Sequence, residues 1–362
     1  MKYILFFLFS IIFCEKSDVY FTKNLTSEAI VTLFDKLNVQ LTGKIGLKVH
    51  SGEPGGYFLK PTFLKDIYDY TKGTFIESNT VYGQRRNTNT HKQLLKSLGW
   101  FDNDGRFEIL DEDPNQDITL EFKNYKKISR NYVGQNLNKY DSCVVLSHFK
   151  GSIIGYGGAL KQLSIGFSST KGKYWVHSAG KYTNGLLFAN NEEFTTSMAD
   201  AASGVINHFK SRGDIAYINV LANISLDCDC HGSDSRAPQI RDIGILASMD
   251  PVAIDQACID LIKKTNDKGT QTFLGEIEKY QGENLIKRAV ELNLGNEEYN
   301  LIKLDGNDDN DDDDNDDDDN DDDNNDDDDN DDDDNDYGRY DRNHSSFIRP
   351  LFGLYLLLYL FI

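Results

Sequence analysis

The amino-acid sequence contains no Cys-x-x-Cys pair, no recognisable internal repeat and no apolar run of bilayer-spanning length. A membrane-spanning helix needs about 20 apolar residues, whereas the apolar runs at the two ends, residues 3–14 and 351–362, have twelve. Closed structural zinc sites use Cys-x-x-Cys spacing and repeat proteins show a fixed period, so neither class is favoured. No Pro/Gly-rich linker divides the central part, which favours one large domain.

Basic residues are absent from residues 305–336, which contain 23 Asp and no apolar side chain. Such a segment cannot bury enough surface to offset its chain entropy, so we expect an extended, disordered stalk. Its residues 307–336 are only Asp and Asn, so they lack the Gly and the terminal Glu of a calcium-binding loop. Outside it, 36 acidic residues face 38 Lys and Arg, so the net charge of −21 belongs to the stalk. The near-neutral body argues against a nucleic-acid partner.

The N-terminal residues 1–17 have the order of a secretory signal peptide, with one Lys, an apolar stretch and then polar residues. Three Asn-x-Ser/Thr triplets agree with export, although each triplet is weak evidence alone because it arises often by chance. We therefore expect a glycoprotein of the secretory pathway, with three candidate glycosylation sites: Asn24, Asn223 and Asn343.

The C-terminal residues 337–362 end in an apolar run behind Arg349 and Pro350. A removable glycolipid-anchor signal consists of a polar spacer followed by about 10–20 apolar residues, and this segment fits that description. A short membrane helix and no membrane role are the alternatives. Under either of the first two readings the domain is held at a membrane, and we expect a membrane-anchored protein of the cell surface.

Residues 18–304 alternate between strand and helix patterns, which predicts one globular α/β domain whose largely parallel or mixed sheet is flanked by helices. Ligands of such domains bind beyond the carboxyl ends of the strands. The predicted strands are residues 44–50, 74–78, 118–122, 143–149, 215–224 and 243–248, and the predicted helices are 88–98, 158–166, 192–209, 251–264 and 282–292.

A glycine-rich stretch follows the predicted strand 143–149 and leads into a helix. Glycines let backbone N–H groups approach a ligand, and a helix start favours an anion, so a phosphate or carboxylate cradle is one interpretation. A glycine-rich crossover without a ligand is the other. The stretch has neither the dinucleotide fingerprint nor a phosphate loop. Its candidate residues are His148, Lys150, Gly155, Gly157, Gly158 and Lys161.

His50 and Glu53 stand among glycines at the end of the predicted strand 44–50. A His and a Glu this close can share a proton or a metal, whereas a polar turn is the simpler interpretation. His50 and His148 are candidate general bases near neutral pH, with Lys150 beside them as a candidate catalytic residue.

The stretch Cys228-Asp-Cys230-His231 follows another apolar strand. Two thiolates with a histidine form a soft-metal site, so these three residues are candidate ligands of a soft or divalent metal ion. Export instead favours disulfides, here to Cys143 and Cys258, and free thiols are the third alternative.

Six ordered motifs between residues 47 and 257 resemble the family known as domain of unknown function 362, among them LKVHSGEPGGYFLKP, ESNTVYGQRRNTNTH and NVLANISLDCDCHGSD. The resemblance implies that the candidate residues assemble into one site. Many members carry a ferredoxin-like insert that holds iron–sulfur centres. The corresponding residues 183–193 are few and lack cysteine, so we expect no iron–sulfur cluster.

Two hypotheses on function follow from these observations. The first is a surface-displayed enzyme, or degenerate enzyme, whose His/Lys/Cys-lined cleft binds a metal or a small anionic ligand. The second is a non-catalytic display or binding module that retains the fold without an electron-transfer role.

Overall fold

The computed structural model describes residues 16–100 and 106–306. Its strands are β1 Ser17–Thr22, β2 Ile45–Lys48, β3 Thr74–Glu77, β4 Phe107–Ile109, β5 Asp117–Glu121, β6 Arg130–Gly134, β7 Ser142–His148, β8 Lys150–Ser152, β9 Gly155–Gly157, β10 Ile215–Leu221, β11 Gly244–Ser248 and β12 Tyr299–Lys303. Its α-helices are α1 Ser27–Lys36, α2 Lys65–Thr71, α3 Thr88–Ser97, α4 Ala159–Lys161, α5 Thr170–His177, α6 Asn191–Lys210, α7 Pro251–Lys263, α8 Thr270–Lys279 and α9 Glu283–Glu291.

Eight strands form one sheet in the order β12-β1-β11-β10-β7-β2-β3-β4. β11 runs antiparallel to both of its neighbours, β1 and β10, whereas every other neighbouring pair is parallel. This architecture confirms the predicted α/β class with a largely parallel sheet.

Helices cover both faces of the sheet, so the central strands are apolar along their whole length. All seven residues of β7 and of β10 are buried. Successive side chains of a strand point to opposite faces of the sheet. Val145 packs in the core under α6 and α7, whereas Val144 packs in the core under α1, α2 and α3. The two cores together hold the strand ends in place.

The predicted strands and helices coincide with observed elements, with boundaries that differ by up to three residues. At α7, Asp250 accepts hydrogen bonds from Val252 N at 2.8 Å and Ala253 N at 3.0 Å, and Pro251 is the first helical residue. Residues 118–122 depart from the prediction in one respect, because β5 pairs with β6 in a separate hairpin outside the main sheet. Residues 162–166 continue α4 as a π-helical turn.

Several of the predictions about function concern the chain ends. Residues 1–15 and 307–362 lie outside the described residues, so the signal, the stalk, the anchor and Asn343 stay predictions. Within the described part, no helix is both long and apolar enough to cross a bilayer. Asn24 and Asn223 are exposed there.

Candidate functional site

Four parallel strands, β2, β3, β7 and β10, end at the same edge of the sheet, and a cavity of about 100 Å³ lies there. Polar side chains from the strand ends form one wall: His50 after β2, Glu77 of β3, His148 of β7, and Cys228 beyond β10. The cavity therefore occupies the position expected for ligands of parallel α/β sheets.

Arg85 organises the side of the cavity next to β3. It is buried, and it donates to Glu53 Oε1 from Nε at 2.9 Å and to Glu77 Oε1 from Nη1 at 2.8 Å. Burial alone would raise the pKa of Glu77, but Arg85 together with His91 and His50 outweighs burial and holds that pKa well below its usual range. Nη2 of Arg85 lies 3.2 Å from His50 Nε2. Burial and Arg85 lower the pKa of His50, which keeps its ring neutral.

Neighbouring side chains and backbone groups occupy both carboxylate oxygens of Glu77. Besides Arg85, it accepts hydrogen bonds from Ser51 Oγ at 2.5 Å and Ser51 N at 3.2 Å, and its Oε2 lies 3.1 Å from His91 Nε2. Both carboxylate oxygens are engaged, so Glu77 acts as a fixed counter-charge of the site and not as a free base.

Asp229 forms a second charged centre, directly between the two cysteines. Its Oδ1 lies 2.9 Å from His148 Nδ1, and its Oδ2 lies 2.9 Å from Lys150 Nζ. Burial would raise the pKa of Asp229, but His148 and Lys150 outweigh it and lower that pKa strongly. The other nitrogen of His148 faces Ala222 O at 2.8 Å. Both ring nitrogens of His148 thus face acceptors, and neither has a lone pair directed at the cavity.

The thiols of Cys228 and Cys230 face the same cavity. Cys228 Sγ accepts from Cys230 N at 3.4 Å and from Lys161 Nζ at 3.5 Å, and the Cys230 thiol and the His50 ring lie beside it. The bond from Cys230 and, against burial, the charge of Lys161 lower the pKa of Cys228 well below its usual range. Tyr82 Oη donates to Cys230 Sγ at 3.0 Å.

The predicted metal set of Cys228, Cys230 and His231 does not assemble. His231 is exposed and lies outside the cavity wall, while His50 takes the place beside Cys228. Within residues 16–100 and 106–306, no group of three or more His, Cys, Asp or Glu side chains is arranged to hold a metal ion. The four cysteines there are free thiols, so the disulfides to Cys143 and Cys258 are not formed.

Three lysines of the cavity wall, Lys48, Lys161 and Lys173, have no carboxylate partner within 4.0 Å in the described part of the chain. Lys48 donates to Val49 O at 2.6 Å and to Gln162 Oε1 at 2.9 Å, and Lys173 donates to Ser168 O. Burial lowers the pKa of Lys48 to about 7 and that of Lys173 to about 8. The wall thus holds ammonium groups whose charge is only partly balanced.

The glycine-rich stretch has two separate roles. Gly157 and Gly158 line the cavity, whereas Gly155 packs against α8, where a Cβ would lie 2.4 Å from Ile277 Cα. The expected anion site at the start of α4 is already filled, because Asp255 accepts from Ala159 N at 2.7 Å and from Leu160 N at 2.9 Å. A ligand anion must therefore bind to the lysine side chains, since Asp255 already occupies the start of α4.

Another part of the cavity wall is apolar. Phe194 and Met198 of α6 and Ile154 line it. His177 belongs to this wall, stacked on Phe194 with ring centroids 4.7 Å apart, and burial lowers its pKa to about 4. The cavity is therefore charged at the strand ends and apolar towards α6.

The structure brings most of the predicted site residues together. His50, His148, Lys150, Gly157, Gly158, Lys161, Cys228 and Cys230 line the cavity, and Glu53 lies behind Arg85. Sequence reasoning missed Lys48, Glu77, Arg85, Lys173 and Asp229. The sequence carried a signal for four of them, since Lys48, Glu77 and Arg85 belong to motifs that carry the family resemblance and Asp229 separates the two cysteines.

The family of this chain follows from comparison with models of known protein families. Residues 45–260, about three fifths of the chain, match the family described as "Domain of unknown function (DUF362)". The chain belongs to this family. The DUF362 match runs from β2 into α7 and includes every charged and thiol residue of the cavity wall. A search of curated proteins gave no match.

Two solved structures are similar to this DUF362 chain. The lactate racemase apoprotein from Thermoanaerobacterium thermosaccharolyticum shares 14% identity with a TM-score of 0.42 over 68% of this chain. A protein from Thermotoga maritima shares 11% identity with a TM-score of 0.36 over 73% of this chain. The alignments cover 57% and 58% of those two chains, so this chain spans less than two thirds of their length.

Proposed function

We propose that the DUF362 domain binds a small organic anion, with one carboxylate- or phosphate-type group, in the cavity at the strand ends. The observation that carries the proposal is the set of lysines without carboxylate partners, Lys48, Lys161 and Lys173, around one cavity. The other two cations of the wall are already balanced, Arg85 by Glu53 and Glu77, and Lys150 by Asp229.

Two of these three lysines are buried. Lys48 is 1% exposed and Lys173 is 6% exposed. Removing an ammonium group from water without a partner costs several kcal/mol. An anion between these lysines supplies the missing partner and restores their protonated form, so the cavity favours anions over neutral molecules of the same size.

The size and lining of the cavity set the class of ligand. An apolar cavity of about 150 Å³ holds a benzene molecule, and the volume here is about 100 Å³. This space suits a molecule of several heavy atoms. Phe194, Met198 and Ile154 supply an apolar surface for its uncharged part, while the lysines hold the anionic group.

A panel of small anions tests the proposal by thermal unfolding of the full chain. We expect acetate, butyrate or inorganic phosphate to raise Tm in a saturable manner, whereas the amides of the same acids leave Tm unchanged. Lys48→Met and Lys173→Met should lose the response. Lys36→Met, an exposed position at the end of α1, is the matched control and should keep it. Equal effects of acids and amides would contradict an anion site.

We further propose that this domain is exported and held at the cell surface. The support is the order of residues 1–17 and the apolar C-terminal run behind a polar spacer. Treatment of intact cells with a phosphatidylinositol-specific phospholipase should release the protein if the anchor is a glycolipid. Retention after treatment, together with loss of surface labelling on truncation at residue 350, indicates a membrane helix instead.

A further inference from the structure

We propose that Cys228 and Cys230 form a redox-active dithiol, which reduces the disulfide bond of a small anionic substrate. The proposal rests on the anion site described above, because the lysines hold the substrate beside the thiols. It adds a reaction to that site and assigns different roles to the two cysteines.

Cys228 has the surroundings of a nucleophile. A thiolate is the attacking form of cysteine, and nearby cations and N–H donors stabilise it. Cys228 Sγ accepts from Lys161 Nζ at 3.5 Å and from the N–H of Cys230 at 3.4 Å, and the His50 ring lies beside it. The sulfur also faces the cavity, where a small substrate reaches it.

Cys230 is placed to resolve a mixed disulfide on Cys228. The two cysteines lie in one turn, where the Cys230 N–H donates to the Cys228 sulfur at 3.4 Å, and Tyr82 Oη donates to the Cys230 sulfur at 3.0 Å. That hydroxyl stabilises the negative charge that develops when Cys230 loses its proton. Cys230 is partly exposed, so it reaches both the cavity and its neighbour.

The loop between β10 and β11 holds the two sulfurs at the cavity. Asp229 stands between them and is anchored by His148 at 2.9 Å and Lys150 at 2.9 Å. Cys143 and Cys258 have no comparable setting, since both are fully buried within the core under α6 and α7. They serve as internal controls because burial keeps structural thiols inert.

The reaction is two thiol–disulfide exchanges. In the first, the Cys228 thiolate attacks one sulfur of the substrate R–S–S–R, the substrate S–S bond breaks, and one thiolate R–S⁻ leaves. In the second, Cys230 transfers its proton to this thiolate, attacks the Cys228 sulfur, and releases the second R–S⁻, which takes a proton from water. Two electrons pass from the dithiol to the substrate, and the product is a Cys228–Cys230 disulfide. An external thiol reductant restores the dithiol.

Dithiodiglycolate, the small dianionic disulfide of thioglycolate, is the probe, and bis(2-hydroxyethyl) disulfide is its neutral counterpart. The reduced full chain is mixed with each probe, quenched with acid and mapped by mass spectrometry. We expect the wild type to form the Cys228–Cys230 disulfide, while Cys143 and Cys258 stay reduced. Cys230→Ser should stop at one thioglycolate on residue 228, and Cys228→Ser should stay unmodified at residue 230.

The charge of the substrate is tested separately. We expect the dianionic probe to react at least about tenfold faster than the neutral probe, as attraction by fixed charges allows. Lys161→Met should reduce this ratio towards one, and Lys36→Met should keep it. Circular dichroism and Tm of each variant establish that it is folded before its reactivity is compared.

Failure of this proposal is distinct from failure of the anion site. If acetate or phosphate raises Tm but both thiols stay unmodified, the dithiol is wrong and the anion site stands. If the thiols react equally fast with both probes, the anionic class of substrate is wrong. A thioglycolate adduct on Cys230 in the Cys228→Ser variant, formed at the wild-type rate, would overturn the assigned roles.

Discussion

Lys161 Nζ lies 3.5 Å from the sulfur of Cys228, although 67 positions separate the two residues. The contact joins the end of α4 to the loop after β10. It exists because β7 and β10 are adjacent and parallel, so the segments that follow them leave the sheet at the same edge. A cation and a thiolate thereby share one small cavity.

Replacement of Arg85 should strongly destabilise the fold. Arg85→Met leaves the buried carboxylates of Glu53 and Glu77 without their guanidinium, and breaking a buried ion pair from one side costs about 3–5 kcal/mol. Urea unfolding measures the loss. Arg86→Met is the matched control, since Arg86 is exposed and follows directly in the chain. A loss no larger than that of the control would contradict the central role of Arg85.

Asp229→Asn should destabilise the fold and make the loop between β10 and β11, which carries the two cysteines, less rigid. Lys150 is 3% exposed and depends on the charge of Asp229, so we expect a loss of about 3–5 kcal/mol in the free energy of unfolding. Faster alkylation of Cys230 by iodoacetamide should accompany it. The control is Asp234→Asn, an exposed carboxylate of the same turn, which should leave stability and alkylation unchanged.

Stability should rise with pH above neutrality because of Lys48. Burial lowers the pKa of Lys48 from 10.5 to about 7 in the folded state, so between these values the unfolded chain binds more protons. The free energy of unfolding therefore increases across this window, by at most about 1.4 kcal/mol per pH unit. Other charged groups that act on Lys48 are Glu77, Lys173, Cys143 and Arg85.

Urea unfolding of the wild type and Lys48→Met between pH 7 and pH 10 checks this prediction. The variant should show a shallower rise, because it has no ammonium group to deprotonate at that position. Lys36→Met should follow the wild type. Identical slopes for the wild type and Lys48→Met would show that Lys48 keeps an ordinary pKa.

Gly155→Ala should lower stability without changing anion binding. Gly155 has φ +92°, and an added Cβ would lie 2.4 Å from Ile277 Cα in α8. We expect a loss of roughly 1–3 kcal/mol, with the Tm response to acetate retained in the folded fraction. If the variant remains folded but loses the Tm response to acetate, Gly155 contributes to the ligand site after all.

Much of the fold was predictable from local pattern. The apolar strands β7 and β10 and the cap formed by Asp250 and Pro251 follow from the types of neighbouring residues. Strand β12 was not predictable in this way, because its five residues are only partly apolar and its pairing partner β1 lies about 280 positions away. Periodicity reports which residues are buried and carries little information on distant pairing.

The site was predictable in its location and only partly in its members. His148, Lys150, Cys228 and Cys230 stand at strand ends, where parallel sheets place ligands. Arg85 was missed because a surface arginine and a buried one look alike in a sequence. Only the opposing carboxylates of Glu53 and Glu77 distinguish them.

The sequence by itself determined the alternation of strands and helices, the edge of the sheet that carries the site and membership of the DUF362 family, because these depend on local residue pattern and order. Tertiary structure decided that His50 and not His231 stands beside Cys228, that Asp255 fills the start of α4, and that Lys48 and Lys173 are buried without carboxylates. Charge balance and hydrogen bonding between distant segments depend on distances in space, which residue spacing along the chain does not specify.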